Sequence, residues 1–127
     1  MSEVVLDASA LLALLNDEAG ADVVAASLPG AVISAVNYCE TITKLCNAGM
    51  PEDKIRLALE SFNLMIIPFD EEQAYRAGLL HAITREAGIG LGDRACLSLG
   101  KIRKTTVLTA DKAWQAFNRE QKIRLIR

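Results

Sequence analysis

The chain has 127 residues, a formal net charge of -2 and a hydrophobic content of 51%, values that suit one small domain with one apolar core. No apolar stretch approaches the roughly 20 residues that span a bilayer, and the amino terminus has no basic leader or cleavage-site pattern. We therefore expect no membrane span and no secretory signal, and instead a cytoplasmic protein in which residues 1–127 form a single domain.

Short apolar segments alternate with helical patterns along the chain. The segments at 4–6, 31–34, 64–67, 106–108 and 123–126 are predicted to be strands. The patterns at 10–15, 21–28, 36–48, 51–62, 71–86, 93–103 and 112–118 are predicted to be helices. Strands that alternate with helices imply crossover connections, so the sequence predicts a three-layer α/β/α sandwich with a mostly parallel central sheet of about five strands.

Four acidic residues are predicted at the carboxyl edge of this sheet, where open α/β sheets bind their ligands. Asp7 directly follows the first strand, and Asp111 follows the fourth. Glu40 lies one turn into the helix after the second strand, and Asp93 opens a helix after a glycine-rich segment. Each also has a structural explanation alone: Asp7 and Asp93 could cap helices, Asp111 could start a helix, and Glu40 could pair with Lys44.

Four carboxylates at one edge need electrostatic compensation. Two like charges about 4 Å apart repel by roughly 4 kcal/mol at an effective dielectric constant of 20. Either the pKa values rise until protons are shared, or cations occupy the site. Because the predicted ligands include no His or Cys, the favoured cations are Mg²⁺ or Mn²⁺ rather than zinc.

Three polar residues near these acids are candidates for supporting roles. Ser9 and Thr109 each lie two residues from an acid, and their hydroxyls could orient carboxylates or bound water, or serve as ordinary caps. Asn37 precedes Glu40 by three residues on one helix face, where it could hold Glu40 or a phosphate, or act as an N-cap.

Four short segments stand out together: VLDASAL at 5–11, ISAVN at 33–37 followed by Glu40, LGDRACL at 91–97 and VLTADKAW at 107–114. In this order and at this spacing they resemble the PIN-domain family, and within it the VapC-type toxins of bacterial and archaeal toxin-antitoxin pairs. The resemblance runs the whole length of the chain.

The resemblance implies a PIN-like fold and an Mg²⁺- or Mn²⁺-dependent endoribonuclease, a hydrolase that cuts RNA. It implies a homodimer, and a cognate antitoxin protein whose segment covers the active-site groove and holds the toxin inactive. The acidic catalytic and metal-binding positions that it implies are Asp7, Glu40, Asp93 and Asp111. It implies supporting roles for Ser9 and Thr109, which lie nearby.

Arg94 departs from the family pattern, because a small residue commonly follows the third acid. The sequence leaves three roles open for it: a phosphate contact, an ion pair with the acids, or a dimer contact.

Two alternative functions are compatible with parts of the sequence. A housekeeping PIN nuclease in RNA processing would carry the same acids. A haloacid-dehalogenase-like aspartyl phosphatase also has an Asp at the end of its first strand, but places a second Asp two residues later, where this chain has Ser9.

The small net charge conceals a strong asymmetry. Residues 1–100 contain 6 Lys and Arg against 14 Asp and Glu, whereas residues 101–127 contain 8 against 2. The basic carboxyl-terminal segment could contact phosphate groups of RNA, although a solvated charged surface is the simpler explanation.

The cysteines are an odd number without CxxC spacing, which argues against a disulfide framework and a zinc cage. Cys39 and Cys46, seven residues apart on one predicted helix, are expected to be small apolar core residues.

Overall fold

A computed structural model describes residues 2–127, which form a five-stranded parallel sheet with helices on both faces. The strands are β1 Val4–Leu6, β2 Ala31–Ser34, β3 Met65–Ile67, β4 Thr106–Thr109 and β5 Ile123–Leu125. The α-helices are α1 Ala8–Leu15, α2 Ala21–Ser27, α3 Ala35–Asn47, α4 Glu52–Ser61, α5 Glu71–Leu79, α6 His81–Thr84 and α7 Leu91–Arg103. Three 3₁₀ segments are Leu28–Gly30, Arg85–Ala87 and Lys112–Phe117. None of the helices described is both long and apolar enough to cross a membrane.

The strand order is β3-β2-β1-β4-β5, and every neighbouring pair is parallel. The central strand β1 is in register with both of its neighbours. Leu6, its last residue, pairs with Ile33 on one side and Leu108 on the other. The carboxyl ends of β1, β2 and β4 therefore lie side by side, which confirms the predicted α/β fold. This is the edge at which parallel sheets of this kind usually bind ligands.

Alternating strand residues enter two separate cores. Leu6, Ile33 and Leu108 pack with α1 on one face of the sheet. Val5 and Val107 pack on the other face, in the cluster of buried residues that includes those of α7. Since both faces are covered at the three inner strands β1, β2 and β4, these strands are mostly apolar along their length instead of alternating with polar residues.

Two predicted helices have a different form in the structure. The pattern at 71–86 is divided at Leu80, where the Ile83 N–H bonds the Leu80 carbonyl at 3.1 Å in a 3₁₀-type turn. His81, the single histidine, opens α6 and is exposed. The pattern at 112–118 is a 3₁₀ segment in which Trp114 is 1% exposed, so its indole packs in the core.

The expectation for the cysteines of α3 is wrong. Cys39 and Cys46 are both exposed. The buried face of α3 instead carries Asn37, Thr41 and Leu45, at four-residue spacing. The polar members of this face are tolerated inside because they are hydrogen bonded: the Thr41 hydroxyl donates to the Asn37 carbonyl at 2.8 Å.

Candidate active site

Asp7 is buried where β1 ends, with 4% of the residue exposed. Its Oδ1 accepts a hydrogen bond from the Ala10 N–H at 2.8 Å, which makes it the N-cap of α1. The Ser9 hydroxyl lies 2.7 Å from Oδ1, and the Thr109 hydroxyl donates to Oδ2 at 2.6 Å. Burial raises the pKa of Asp7, because the cost of desolvating the carboxylate exceeds the stabilisation from these hydrogen bonds.

Ser9 and Thr109 join this carboxylate to the end of β4. The Ser9 Oγ accepts from the Ala110 N–H at 2.9 Å, and the Thr109 Oγ1 accepts from the Asp111 N–H at 3.0 Å. The two hydroxyls lie 3.3 Å apart. Both residues therefore position Asp7 and at the same time bind the backbone that leads to Asp111.

Asp111 lies at the same edge but is exposed to solvent. Its Oδ1 accepts from the Ala113 N–H at 3.0 Å and caps the 3₁₀ segment Lys112–Phe117. Its charge is one of the causes that raise the pKa of Asp7. The residue therefore caps a helical segment and also contributes to the acidic site.

Glu40 is held on α3 by a side chain one turn earlier. Its Oε1 accepts from Asn37 Nδ2 at 3.0 Å, and the same Nδ2 donates to the Gly92 carbonyl at 2.9 Å. The carboxylate lies directly against Gly92, where an added Cβ would overlap it. The N-cap of α3 is Ser34, which accepts from the Val36 N–H at 3.2 Å, so Asn37 positions Glu40 and is not the cap.

Asp93 is the third residue of α7, so it is not the N-cap of that helix. Its pKa is raised to about 6, first by burial and then by the negative charges of Asp7, Glu40 and Asp111, while Lys44 lowers it. Coulombic interactions weaken with distance, so these three carboxylates lie near Asp93. The four predicted acids therefore form one electrostatically coupled group at the carboxyl edge, which we call the acid cluster.

The donor atoms of the acid cluster decide whether it fits a divalent cation. Within residues 2–127, no three Asp, Glu, His or Cys side chains form a preassembled metal-binding group. A closed cage is not needed for Mg²⁺, which keeps several waters and binds through one or two protein carboxylates. Beside Glu40, the buried Asn37 Oδ1 has no hydrogen-bond partner among the described residues. Oxygen donors, excess negative charge and a free amide oxygen together fit a hydrated Mg²⁺ or Mn²⁺.

Of the three roles that the sequence leaves open for Arg94, the ion pair with the acid cluster is not formed, and in the described part of the chain the residue pairs with no carboxylate. Its Nη1 donates to the Ala77 carbonyl of α5 at 3.1 Å, and its buried Nε lacks a partner there. Consecutive helical residues point about 100° apart, so Arg94 faces α5 when Asp93 faces the other acids. Its roles as a phosphate or dimer contact stay predictions.

Gly92 and Lys44 also contribute to the site, although neither role was predicted from the sequence. Gly92 gives space to the Glu40 carboxylate. The sequence does contain a signal for this role: a glycine lies next to an acid in the first turn of a helix, where glycine is unfavourable. Lys44 makes no ion pair with Glu40 in the described residues, but it supplies the positive charge that acts on Asp93.

The chain is similar to known proteins over nearly its whole length. The family model for the PIN domain matches residues 4–120. Among solved structures, the chain is similar to a DNA-bound VapBC from Salmonella typhimurium, with 16% identity, a TM-score of 0.78 and coverage of 100% of both chains. It is similar to a toxin-antitoxin complex from Klebsiella pneumoniae, with 18% identity, a TM-score of 0.75 and 98% of each chain covered. For VapBC-5 from Mycobacterium tuberculosis the identity is 22% and the TM-score 0.64, over 100% of this chain and 99% of that one. Comparison with curated protein sequences gives no match.

The raised pKa of Asp93 gives the metal-free protein a defined pH dependence. An unfolded Asp ionises near its ordinary pKa of 3.8, whereas folded Asp93 keeps its proton until about pH 6. The folded state therefore binds more protons between these values, and this group makes folding less favourable as pH rises from about 4 to 6. Asp93→Asn removes the effect, so its stability relative to the parent should increase across that window. Urea unfolding of the variant and the parent at pH 4 and pH 7 in EDTA measures this change. An equal difference in their free energies of unfolding at both pH values would contradict the prediction.

The contact between Gly92 and Glu40 leads to a second expectation. If Mn²⁺ binds the acid cluster and raises the melting temperature of the parent, Gly92→Ala should displace the Glu40 carboxylate and remove most of that increase. Gly78→Ala is the matched control, because a Cβ at this glycine of α5 meets no atom within 4 Å. The control should gain up to about 1 kcal/mol of stability and keep its Mn²⁺ response. A parent-like response to Mn²⁺ in Gly92→Ala would show that the position of Glu40 is unimportant for the cation.

Proposed function

Because this chain belongs to the PIN-domain family, a family of nucleases, we propose that it is an Mg²⁺- or Mn²⁺-dependent endoribonuclease that hydrolyses RNA phosphodiester bonds. The observation that carries the proposal is the coupling of Asp93 to the charges of Asp7, Glu40 and Asp111 at the carboxyl edge of the sheet. Such a concentration of negative charge would repel a phosphate unless cations compensate it. The same arrangement that would repel RNA in the absence of cations therefore implies that the reaction requires a cation.

The residues of the acid cluster have different parts in this reaction. Asp7 is buried and hydrogen bonded by Ser9 and Thr109. Its carboxylate therefore has little freedom to rotate and is held in one orientation as a cation ligand. Glu40 is held by Asn37, whereas the Asp93 carboxylate accepts no hydrogen bond from the described residues and is free to bind a cation. When bound, Mg²⁺ or Mn²⁺ supplies activation of a water molecule and stabilisation of negative charge on the phosphate.

This assignment removes the need for a protein nucleophile. The phosphatase alternative would use Asp7 for nucleophilic attack, but both of its carboxylate oxygens accept hydrogen bonds from the chain itself. Ser9 occupies the position of the second Asp that a haloacid-dehalogenase-like enzyme requires, and serves to hold Asp7. The family match and these contacts both favour the nuclease.

We further propose that the chain is the toxin of a type II toxin-antitoxin system, inhibited by a small antitoxin protein whose segment covers the active-site groove. Support comes from the similar structures, which include a toxin-antitoxin complex and two described as VapBC. A housekeeping PIN nuclease would have the same acid cluster. A short neighbouring reading frame for a DNA-binding antitoxin distinguishes the toxin from it.

The cleavage reaction is tested by removing one charge from the acid cluster. Asp93→Asn changes a side chain that makes no hydrogen bond in the described residues, and should lower RNA cleavage in Mg²⁺ or Mn²⁺ by at least ~10²-fold, since several kcal/mol of transition-state stabilisation are lost. Asp53→Asn is the matched control, because Asp53 also lies in the first turn of a helix but is far from the cluster in sequence and exposed. Cleavage by Asp93→Asn at the control's rate, or cleavage that survives EDTA, would refute the mechanism.

A homodimer is the assembly that we propose. Tyr75, Leu79 and Ile83 follow one another at four-residue spacing along α5 and α6, and are 65%, 60% and 49% exposed. An apolar stripe of exposed side chains such as these three on a small domain is typical of an interaction surface.

Light scattering of the purified chain should give twice the mass of one chain. Leu79→Glu should give a monomer, because it places a charge within the apolar stripe. Leu57→Glu is the control, since Leu57 is 72% exposed on a different helix, α4. A monomeric parent, or a dimer that survives Leu79→Glu and dissociates in Leu57→Glu, would show that the stripe is not the dimer interface.

A further inference from the structure

A basic depression lies at the amino edge of the sheet, opposite the acid cluster. It has a volume of about 440 Å³ and is formed where the chain enters β1, β4 and β5. Its cations are Lys101, Lys104, Arg119 and Lys122. The remaining residues of its lining are Ser2, Glu3, Thr105, Thr106, Glu120 and Gln121.

The four cations are exposed and unneutralised. None of them forms an ion pair with a carboxylate in residues 2–127. Of the two acids in the lining, Glu3 is already occupied by Arg103, whose Nε and Nη2 donate to its two oxygens at 2.7 Å each. The depression therefore presents an excess of positive charge to solvent, although the chain as a whole is acidic.

The floor of the depression is fixed by hydrogen bonds that do not use these cations. The buried Gln121 side chain donates to the Thr105 carbonyl and packs against Gly100, where an added Cβ would lie 2.9 Å from its Nε2. The Thr105 hydroxyl donates to the Glu3 carbonyl. The backbone that carries the cations is thus held in place, and their charged groups stay free to bind a ligand.

Helix electrostatics explains only half of these cations. Lys101 and Lys104 lie at the carboxyl terminus of α7, where the helix dipole favours positive charge. Arg119 and Lys122 lie on the connection between the 3₁₀ segment Lys112–Phe117 and β5, where no such effect applies. Their convergence with the lysines of α7 needs another explanation.

The lining indicates what kind of ligand fits. It consists entirely of charged and polar residues, whereas the centre of a protein interface is usually apolar and rich in aromatic side chains. Lysine and arginine side chains around a polar, open surface are typical of contacts to nucleic-acid phosphates. A phosphate backbone therefore fits the depression better than a protein surface.

The depression and the acid cluster cannot bind the same phosphate. They lie beyond opposite ends of strands, and the four-residue strand β4 alone separates its ends by roughly 10–13 Å. We propose that the basic depression is an exosite for RNA, which binds the sugar-phosphate backbone of the substrate at a segment distant from the bond that is cut. The proposal rests on the ribonuclease function proposed above and adds that the substrate is an RNA large enough to reach both edges of the sheet.

The experiment measures binding separately from cleavage. A fluorescent hairpin RNA is titrated with the parent and with the double variant Arg119→Gln, Lys122→Gln in EDTA, at several salt concentrations. The variant should bind at least ~10-fold more weakly, and the slope of log affinity against log salt should fall by about one for each cation removed. The double variant Lys54→Gln, Arg56→Gln removes the same charge from exposed positions on α4 and should bind like the parent.

Cleavage in Mn²⁺ provides the second arm. A short single-stranded oligonucleotide that occupies only the acid cluster should be cut equally by the parent and by the Arg119, Lys122 variant, whereas the KM for the hairpin RNA should rise in the variant. The charge-conserving variant Arg119→Lys, Lys122→Arg should restore hairpin binding, which excludes a folding defect.

Three results would overturn the exosite. Equal losses of binding in the two double variants would mean that only total charge matters. An unchanged hairpin affinity in the Arg119, Lys122 variant would mean that the depression does not bind RNA. Tighter binding of polyglutamate than of RNA by the parent would assign the depression to an acidic protein segment. A parent that binds hairpin RNA through these residues but cuts no RNA would refute the nuclease proposal alone.

Discussion

The buried carboxylate of Asp7 is the interaction on which the rest of the site depends. A charge at 4% exposure is unfavourable unless donors replace its water. Ser9, Thr109 and the Ala10 N–H provide those donors, and the same hydroxyls bind the backbone at the end of β4. The carboxylate is therefore fixed between two strands whose ends are already in register. Its pKa is nevertheless raised, so the hydrogen bonds position the charge without fully compensating it.

Three other residues at this edge of the sheet also have positions or surroundings that are unfavourable for stability. Gly92 lies inside the first turn of a helix, Asn37 has a buried amide oxygen without a partner in the described residues, and Asp93 is surrounded by like charges. Each of these would be unfavourable in a domain selected only for stability. Their concentration at one edge of the sheet is typical of a site that trades stability for function.

The two edges of the sheet carry opposite charges, and this separation follows from chain topology. In a parallel sheet the chain enters every strand at one edge and leaves it at the other. Residues directly before a strand and residues directly after one therefore lie at opposite edges. The acids follow β1 and β4 or face the same edge, whereas Lys104 and Lys122 precede β4 and β5. Positive and negative charge are thereby placed on different surfaces. In the proposed function, a long RNA would gain affinity at the amino edge, while the carboxyl edge would keep the charge density that a cation needs.

The amino-acid sequence by itself determined the order of helices and strands, the parallel sheet and the position of Asp7 and Asp111 at its carboxyl edge. These properties follow from local periodicity and from strand direction, both of which are readable within a few residues. Only the tertiary structure decided the contact of Glu40 with Gly92, the bond from Arg94 to α5, the exposure of Cys39 and the location of the basic depression opposite the acids. Each of these depends on the rotation of a helix about its axis or on segments far apart in the chain that meet in the fold. The spacing of apolar residues does not predict the rotation of a helix reliably where polar residues such as Asn37 are buried at the site.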